Sequence, residues 1–314
     1  MLTKLVQDML DGDRHSLAKL FTLLETDNDN FLELMSLLHQ HTGKAYCIGV
    51  TGSPGVGKST LIDSLLQMIR KQGLKAGVIA VDPSSPFTGG AVLGDRIRMS
   101  HHVLDDGVFI RSLASRGAQG GLSRVTGAGV NLLDAYGADI VLVESVGVGQ
   151  TELDVMNIVD TVVVVMVPEG GDSVQISKAG LIEIADIFVV NKSDRPGAER
   201  LAGVIGSEMN LNDETSWWKP SIHLTQANNN QGINHLWQSI LDHRRVSEET
   251  FNLESRRSKR RILEFSTAVQ YFIDSKLRNP DFQDQGFESI LSSVEKGDLD
   301  PYSAVKKFLS GSNS

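Results

Sequence analysis

The sequence predicts an α/β protein built on a three-layer domain with a mostly parallel sheet, and three observations lead to this prediction. Short apolar runs recur through the middle of the chain, at residues 45–50, 76–82, 107–113, 139–144, 161–167, 186–192 and 221–227. Segments of helical length lie between most of these runs, for example "KSTLIDSLLQMIRKQG" and "GLSRVTGAGVNLLDAYG". The runs are continuously apolar instead of alternating, which is typical of parallel strands that are covered on both faces.

Helices are predicted on both sides of this domain. Apolar residues near the N-terminus fall at helical spacing, and "SLAKLFTLLE" repeats the pattern after Gly12. Near the C-terminus, "ESRRSKRRILEFSTAVQYFIDSKL" predicts a long amphipathic helix and "PYSAVKKFLS" predicts a short one. We therefore divide the chain into an N-terminal helical segment (1–43), the α/β domain (44–245) and a helical C-terminal extension (246–314).

The long C-terminal helix carries two distinct surfaces. Its broad apolar face consists of Ile262, Leu263, Phe265, Val269, Phe272, Ile273 and Leu277. A basic cluster precedes that face and contains Arg256, Arg257, Lys259, Arg260 and Arg261. We interpret the cluster as a solvated helix face near a subunit contact, with a surface for an anionic partner as the alternative.

Composition narrows the range of partners and compartments. The chain of 314 residues has a formal net charge of −9, which argues against nucleic acid as a partner. Its single cysteine, Cys47, lies in the apolar run "AYCIGV", so we expect a buried thiol in a reducing cytoplasm. The N-terminal stretch lacks the continuous apolar core of a signal peptide, and no segment approaches the length of a membrane span. We expect a cytoplasmic protein with neither a membrane nor a nucleic-acid partner.

A phosphate-binding loop is predicted directly after the first strand, in "GVTGSPGVGKST" at residues 49–60. The segment satisfies G-x-x-x-x-G-K-[ST], and its position between a strand and a helix argues against a chance glycine-rich turn. Backbone N–H groups of such a loop surround phosphates, the lysine reaches the β- and γ-phosphates, and the serine hydroxyl ligates Mg²⁺. The residues predicted to bind the nucleotide here are Gly52, Ser53, Pro54, Gly55, Val56, Gly57, Lys58, Ser59 and Thr60.

A second motif indicates the base. "DIFVVNKSD" ends a later strand with Asn191, Lys192 and Asp194, which is the pattern N-K-x-D. The aspartate can accept two hydrogen bonds from guanine N1 and N2, a donor pair that adenine lacks. The asparagine is expected to tie this loop to the phosphate loop. Downstream, "HLTQANNNQGI" at 223–233 is either a loop that packs on the guanine or an ordinary loop.

Acidic residues at strand ends predict a magnesium environment. In "DIVLVESVGVGQTE", Glu144 ends a strand and Gly147 follows three positions later, so we expect the glutamate near Mg²⁺ and the glycine as a γ-phosphate sensor. Residues 145–152 would then form a switch segment. Asp82 and Asp95, in "VIAVDPSSPFTGGAVLGDRIRM", could also approach the metal, although acids at such places are often caps.

Taken in order, these motifs resemble the MeaB/ArgK family of P-loop GTPases, which includes the methylmalonic aciduria type A protein. The similarity also covers "RGAQGGLSR", "VPEGGDSVQISKAGLIEIADIFVVNKSD", the tail "GDLDPYSAVKKFL" and the N-terminal "GDRHSLAKLFTLLE". The resemblance implies a P-loop NTPase domain with a helical C-terminal dimerisation extension. It also implies a cytoplasmic, homodimeric, GTP- and Mg²⁺-dependent chaperone of an adenosylcobalamin-dependent acyl-CoA mutase, usually methylmalonyl-CoA mutase. Such a chaperone gates delivery of the cofactor and protects the mutase.

The resemblance assigns roles residue by residue. Lys58, Glu144, Asp82 and Asp95 are expected in hydrolysis, and Ser59 joins the three acids around Mg²⁺. The segment 168–181 corresponds to an additional switch of the family, with Lys178 as a link between nucleotide and mutase. Two departures stand out: "RGAQGG" lacks the histidine that relatives often place after the glycine, and Ser193 replaces the more usual alanine.

The sequence shows no evident water-orienting glutamine, because Gln150 lies three positions beyond Gly147. We therefore expect slow hydrolysis without a partner, and a stabilising arginine is typically worth about 10³–10⁵ in rate. Arg96, Arg98 and Arg116 are the candidates, with surface ion pairs as the alternative for each.

Three alternative functions share some of these sequence features. A metal-insertion GTPase of the hydrogenase or urease maturation type would need Cys/His clusters, whereas this chain has one cysteine and eight histidines. Its one adjacent histidine pair, at 101–102, is interpreted as a helix-surface pair. A small-molecule or protein kinase would need an acceptor pocket and a base, and N-K-x-D is unexpected in an ATP enzyme. A nucleotide-locked structural dimer would show no turnover.

Overall fold

Seven parallel strands form one sheet in the computed structural model, which describes residues 1–26, 30–82, 102, 104–114, 121–145, 157–168, 181–209, 217–278 and 285–311. The strands are β1 (Tyr46–Thr51), β2 (Ala76–Asp82), β3 (Val108–Ala114), β4 (Ile140–Glu144), β5 (Thr161–Met166), β6 (Ile187–Val190) and β7 (Ser221–Leu224). They pair in the order β3-β2-β4-β1-β5-β6-β7. Each of the seven predicted apolar runs overlaps one strand, and the prediction of an α/β domain with a mostly parallel sheet is confirmed.

The centre of the sheet contains a topological switch point. β1 pairs with β4 on one side, in the register Tyr46↔Ile140 to Val50↔Glu144, and with β5 on the other. β4 and β5 follow each other in sequence, so the chain crosses from one side of β1 to the other. Ligands of open parallel sheets bind beyond the carboxyl ends of the strands at such a crossing. The predicted phosphate loop leaves β1 at this place.

Helices cover both faces of the sheet. Those before the sheet are α1 (Leu2–Leu10), α2 (Arg14–Thr26) and α3 (Phe31–Leu38), and those between strands are α4 (Lys58–Lys71), α5 (Gly121–Ala135), α6 (Leu181–Ile184) and α7 (Ala198–Met209). Those after β7 are α8 (Ile233–Glu249), α9 (Asn252–Arg278), α10 (Gln285–Glu295) and α11 (Pro301–Gly311). α10 was not predicted, although Phe287, Ile290 and Val294 lie at helical spacing within it.

The strand period of two divides the core between the faces. The even-numbered side chains of β1, Tyr46, Ile48 and Val50, share one buried cluster with Leu65 of α4 and Ile240 of α8. On the other face α5 packs on β2, β3 and β4, with α2 and α3 against α5. α8 and α4 thus form one outer layer and α5 with the N-terminal helices forms the other.

The chain separates into two compact units, Met1–Ile262 and Leu263–Ser314. The three-part division of the chain at residues 43 and 245 stays a prediction. Within the described residues, no helix combines the length and the apolar character needed to span a bilayer. Cys47 is buried, as predicted.

The interpretation of the basic cluster as a solvated helix face is wrong for three of its arginines. Arg256 donates to both carboxylate oxygens of Asp186, at 2.8 and 2.7 Å. Arg257 and Arg260 donate to Asp160 at 2.8 and 2.7 Å. We call these five residues the arginine clasp. Both acids are buried, and they immediately precede β5 and β6, on the sheet edge away from the phosphate loop. The sequence pattern could not reveal the contacts because the acids lie 70 to 100 positions upstream.

The electrostatics of Asp186 follow from this environment. Burial by itself raises the pKa of the Asp186 carboxyl, but hydrogen bonds from Arg256 and His243 outweigh burial and lower the pKa to about 2. The carboxylate also accepts the Val162 N–H at 2.9 Å. Its charge is therefore compensated by a guanidinium and by backbone at the start of β5.

The interpretation of the histidine pair as a helix-surface pair is wrong for His102. This side chain is buried, and its Nε2 lies 3.3 Å from Asp63 Oδ1 of α4. His101 lies outside the described residues.

Candidate functional site

The loop between β1 and α4 has the backbone of a phosphate-binding loop. Gly52 and Gly57 have φ values of 138° and 98°, in the left-handed region that favours glycine. A Cβ at Gly52 would collide with the Val165 carbonyl oxygen, and one at Gly57 would lie 2.5 Å from Asn191 Nδ2. Both glycines are therefore required by φ and by the close approach of neighbouring segments.

The side chain of Lys58 closes this loop. Its Nζ donates to the carbonyl oxygens of Gly52 at 2.7 Å and Ser53 at 3.2 Å. The residue is buried at the first position of α4. An ammonium group is thus held across the loop, beside the positive end of the helix dipole, where anions bind favourably.

Two side-chain oxygens from different elements meet at the foot of the loop. Ser59 Oγ donates to Glu144 Oε1 at 2.8 Å, and both residues are buried. The contact arises because Glu144 ends β4 directly beside Val50 of β1, while Ser59 begins α4. A hydroxyl and a carboxylate are the kind of hard oxygen donors that Mg²⁺ prefers.

The other residues predicted to bind the metal or to act in hydrolysis have side chains that lie outside the described residues. Asp82 ends β2, whose Ala80 is paired with Glu144, but its side chain lies outside the described residues. Asp95 and Gly147 lie outside them altogether, as do Arg96, Arg98, Arg116, Gln150 and Lys178. Within the described part of the chain, no group of three or more His, Cys, Asp or Glu side chains could hold a metal ion.

The asparagine of N-K-x-D joins three segments. Asn191 Nδ2 donates to the Val56 carbonyl at 2.9 Å, which is the tie to the phosphate loop that the sequence predicts. Its Oδ1 accepts from Thr225 Oγ1 and from the Ala227 N–H, each at 3.1 Å. The buried amide therefore fixes the end of β6, the phosphate loop and the segment after β7 relative to one another.

The lysine of the same motif has a strained backbone. Lys192 adopts a left-handed φ of 55°, and its Nζ donates to the Gly55 carbonyl at 2.7 Å. Strain of this kind in a residue other than glycine persists only where the surroundings impose it, and it clusters at functional sites. Asp194 is exposed beside it, so its carboxylate is accessible to a base.

The segment after β7 is hydrogen-bonded to the N-K-x-D segment and to α4, and its packing on guanine stays a prediction. Ser193 N–H donates to the Thr225 carbonyl at 3.0 Å, and Ser64 Oγ of α4 donates to the Ala227 carbonyl at 3.0 Å. The sequence motifs alone do not mark Thr225 or Ala227 within this segment. The available signal was their place just after a strand whose neighbour carries N-K-x-D.

Comparison with known proteins identifies relatives over nearly the whole chain. The profile of the family described as "Methylmalonyl Co-A mutase-associated GTPase MeaB" matches residues 17–280. A protein of Pyrococcus abyssi is 46% identical over 313 residues, which cover 98% of this chain and 96% of the relative. GTPase ArgK of Escherichia coli is 32% identical over 315 residues, which cover 98% of this chain and 95% of the relative.

A solved structure extends the similarity to three dimensions. The crystal structure of a LAO/AO transport system kinase matches with a TM-score of 0.71 and 26% sequence identity. The match covers 100% of this chain and 98% of the solved chain. The fold therefore matches along its full length.

Proposed function

Because the chain belongs to the MeaB family of GTPases, we propose that it is a Mg²⁺-dependent GTPase that serves as chaperone to an adenosylcobalamin-dependent acyl-CoA mutase. The GTPase class comes from the family. The observation that carries the nucleotide chemistry is the convergence of Lys58, Ser59, Glu144 and the N-K-x-D segment at one edge of the sheet.

The nucleotide would be held by the phosphate loop and by the N-K-x-D segment. The backbone N–H groups of the loop 52–57 and the start of α4 would hold the phosphates, with Lys58 compensating their charge. Asp194 would accept from guanine N1 and N2, while Asn191 holds the two loops together. GTP and GDP would share these contacts.

The residues at the foot of the loop fit a magnesium ion. Ser59 and Glu144 supply oxygen donors in contact with each other, and Asp82 and Asp95 are proposed to complete the acidic surroundings. When bound, the ion would neutralise charge on the β- and γ-phosphates. The proposed task of Glu144 is to hold the ion through its carboxylate, and that of Ser59 is to offer its hydroxyl.

Slow hydrolysis in the absence of a partner is part of the proposal. Lys58 supplies one positive charge, and no glutamine stands beside Gly147 in the sequence to orient water. We propose that Arg96, Arg98 or Arg116 supplies the missing charge when the partner binds.

The family description supports the proposed partner. It names a methylmalonyl-CoA mutase-associated GTPase, and we extend that association to this chain. Gating of cobalamin delivery through the segments 145–152 and 168–181 is part of the same proposal.

The C-terminal extension is proposed to make a homodimer. Large apolar side chains of α9 are exposed in the single chain, among them Phe265 at 69% and Ile273 at 49%. Contiguous exposed apolar surface of this kind is typical of an interface.

We also propose a cytoplasmic location, which agrees with the single thiol of the chain. Burial raises the pKa of the Cys47 thiol to about 12, so the thiol is unreactive.

The deciding experiment measures GTP hydrolysis by the purified protein, alone and with the adenosylcobalamin-dependent mutase of the same genome. We expect the mutase to accelerate GTP turnover but not ATP turnover, and Glu144→Ala to abolish the acceleration. If no such mutase changes the rate, the chaperone role is wrong although the GTP site stands.

A second experiment tests the assigned base contact. Asp194→Asn replaces an acceptor with an amide that can donate to the oxygen at position 2 of xanthine. We expect affinity for GDP to fall by at least about 100-fold and affinity for xanthosine diphosphate to rise, because each lost hydrogen bond to a charged group is worth roughly 1.5–3 kcal/mol. An unchanged preference for GDP would remove Asp194 from the site.

A further inference from the structure

Two buried hydroxyls connect the strands that flank the candidate site. Ser145 Oγ donates to Thr51 Oγ1 at 2.7 Å, and neither residue is more than 4% exposed. Ser145 also donates its N–H to the Val50 carbonyl at 3.1 Å. These two bonds continue the attachment of the chain to β1 by one residue beyond the end of β4.

On the β1 side, the hydroxyl pair adjoins the phosphate loop. Thr51 is the last residue of β1, and the next residue, Gly52, accepts the Lys58 ammonium with its carbonyl at 2.7 Å. Thr51 therefore lies one peptide away from the group that orients Lys58.

On the β4 side, the pair adjoins the carboxylate. Ser145 follows Glu144, and Glu144 accepts the Ser59 hydroxyl at 2.8 Å. Since Lys58 and Ser59 are consecutive in α4, the contacts form a closed ring that runs from β1 through the loop and α4 to β4. The bond between the Ser145 and Thr51 hydroxyls closes that ring.

We propose that the Thr51–Ser145 hydroxyl pair is a positioning device that holds the main chain of Glu144 so that its carboxylate meets Ser59 and the magnesium ion. The inference rests on the proposed magnesium-dependent function. Apolar side chains could fill both buried positions without the cost of burying hydroxyls, but they could not supply a directional bond. Groups that orient a metal ligand typically change metal affinity or activity by about 10–100-fold when they are removed.

The test compares metal binding by variants of the pair. Mn²⁺ replaces Mg²⁺ as the probe, and its binding to the GDP complex is followed by electron paramagnetic resonance. We expect Ser145→Ala and Thr51→Val to weaken Mn²⁺ binding by about tenfold each. The double variant should be no worse than either single variant, because both remove the same bond. Ser145→Thr keeps the hydroxyl and should bind Mn²⁺ within about twofold of wild type.

A matched control separates positioning from stability. Ser221 and Ser239 form another hydroxyl pair with the same length of 2.7 Å, at the start of β7 and in α8. Ser239→Ala should lower the melting temperature about as much as Ser145→Ala does, yet leave Mn²⁺ binding unchanged. The magnesium concentration for half-maximal GTP hydrolysis should follow Mn²⁺ binding in all variants.

Two results would overturn the inference in distinguishable ways. If wild type binds Mn²⁺ and folded Ser145→Ala binds it equally well, the positioning role is wrong while the magnesium site stands. If the wild-type GDP complex binds no Mn²⁺, the proposed magnesium dependence fails and the positioning role fails with it. Should Thr51→Val not fold, Ser145→Ala and Ser145→Thr decide the question alone.

Discussion

The arginine clasp makes a specific prediction for Asp160→Asn. The Asp160 carboxylate accepts from Arg257, Arg260 and the Cys47 N–H. Burial raises the pKa of this carboxyl, but Arg260 and Arg257 outweigh burial and hold the pKa below its usual value. Removing one partner of a buried ion pair costs about 3–5 kcal/mol, because it leaves the other charge without compensation. The two arginine side chains are 18% and 15% exposed, so water relieves part of the penalty, and we expect about 3 kcal/mol.

Urea unfolding at pH 7 measures this cost. With a slope of roughly 2 kcal/mol/M, the midpoint should fall by about 1.5 M. Tryptophan emission is a suitable probe, since the Trp217 ring lies 5.5 Å from the guanidinium of Arg256 in the clasp.

The matched control is an exposed ion pair within α9, the helix that carries the arginines of the clasp. Glu254 and Arg261 form an ion pair of 2.6 Å whose side chains are 67% and 52% exposed. Exposed pairs contribute about 0–1 kcal/mol, so Glu254→Gln should hardly move the midpoint. Equal losses for Asp160→Asn and Glu254→Gln would refute the argument that the buried charge of the clasp stabilises the fold.

Three further predictions concern acid stability, backbone strain and the phosphate loop. The pKa of Asp186 is about 2 in the folded protein against a usual 3.8, and this shift contributes about 2 kcal/mol to the free energy of unfolding. The contribution is present above pH 3.8 and is lost as the pH falls towards 2. The difference in unfolding free energy between wild type and Asp186→Asn should therefore narrow below pH 4 in guanidinium titrations, and a constant difference would contradict the assignment. Phe251 has a φ of 58° and is 78% exposed, so Phe251→Gly should be more stable than Phe251→Val by about 1 kcal/mol in thermal unfolding; identical melting temperatures would show that the backbone there is unstrained. Gly57→Ala places a Cβ 2.5 Å from Asn191 Nδ2, an overlap worth about 1–3 kcal/mol, so GDP affinity should fall by about tenfold or more. Gly73 also has a positive φ but nothing within 4 Å, and Gly73→Ala should cost stability without changing GDP affinity; matching GDP affinities for the two variants would count against the contact with Asn191.

Local patterns in the sequence predicted most of the fold. Continuous apolar runs produced all seven strands, because a strand covered on both faces leaves its signature within a few neighbouring residues. The phosphate loop was equally predictable, because the left-handed backbone at Gly57 and the helix start at Lys58 depend on residues that are adjacent in sequence. The same holds for Asn191, whose place after a strand made its tie to the loop predictable.

Long-range contacts could not be predicted in this way. Ser145 meets Thr51 across 94 positions, and this contact depends on which strands become neighbours. The strand order, with β4 and β5 on opposite sides of β1, brings these residues together. No local pattern encodes that order.

The sequence by itself determined the fold class, the nucleotide motifs and the family, because each of these depends on spacing along the chain. The tertiary structure alone decided that Arg256 and its neighbours pair with the buried Asp160 and Asp186. It also decided that Thr225 donates a hydrogen bond to Asn191 of the N-K-x-D motif. The physical reason is the same in both cases. A polar side chain looks the same in the sequence whether it faces water or a buried partner. Only the packing of distant segments determines whether water or a protein group satisfies its charge and its hydrogen bonds.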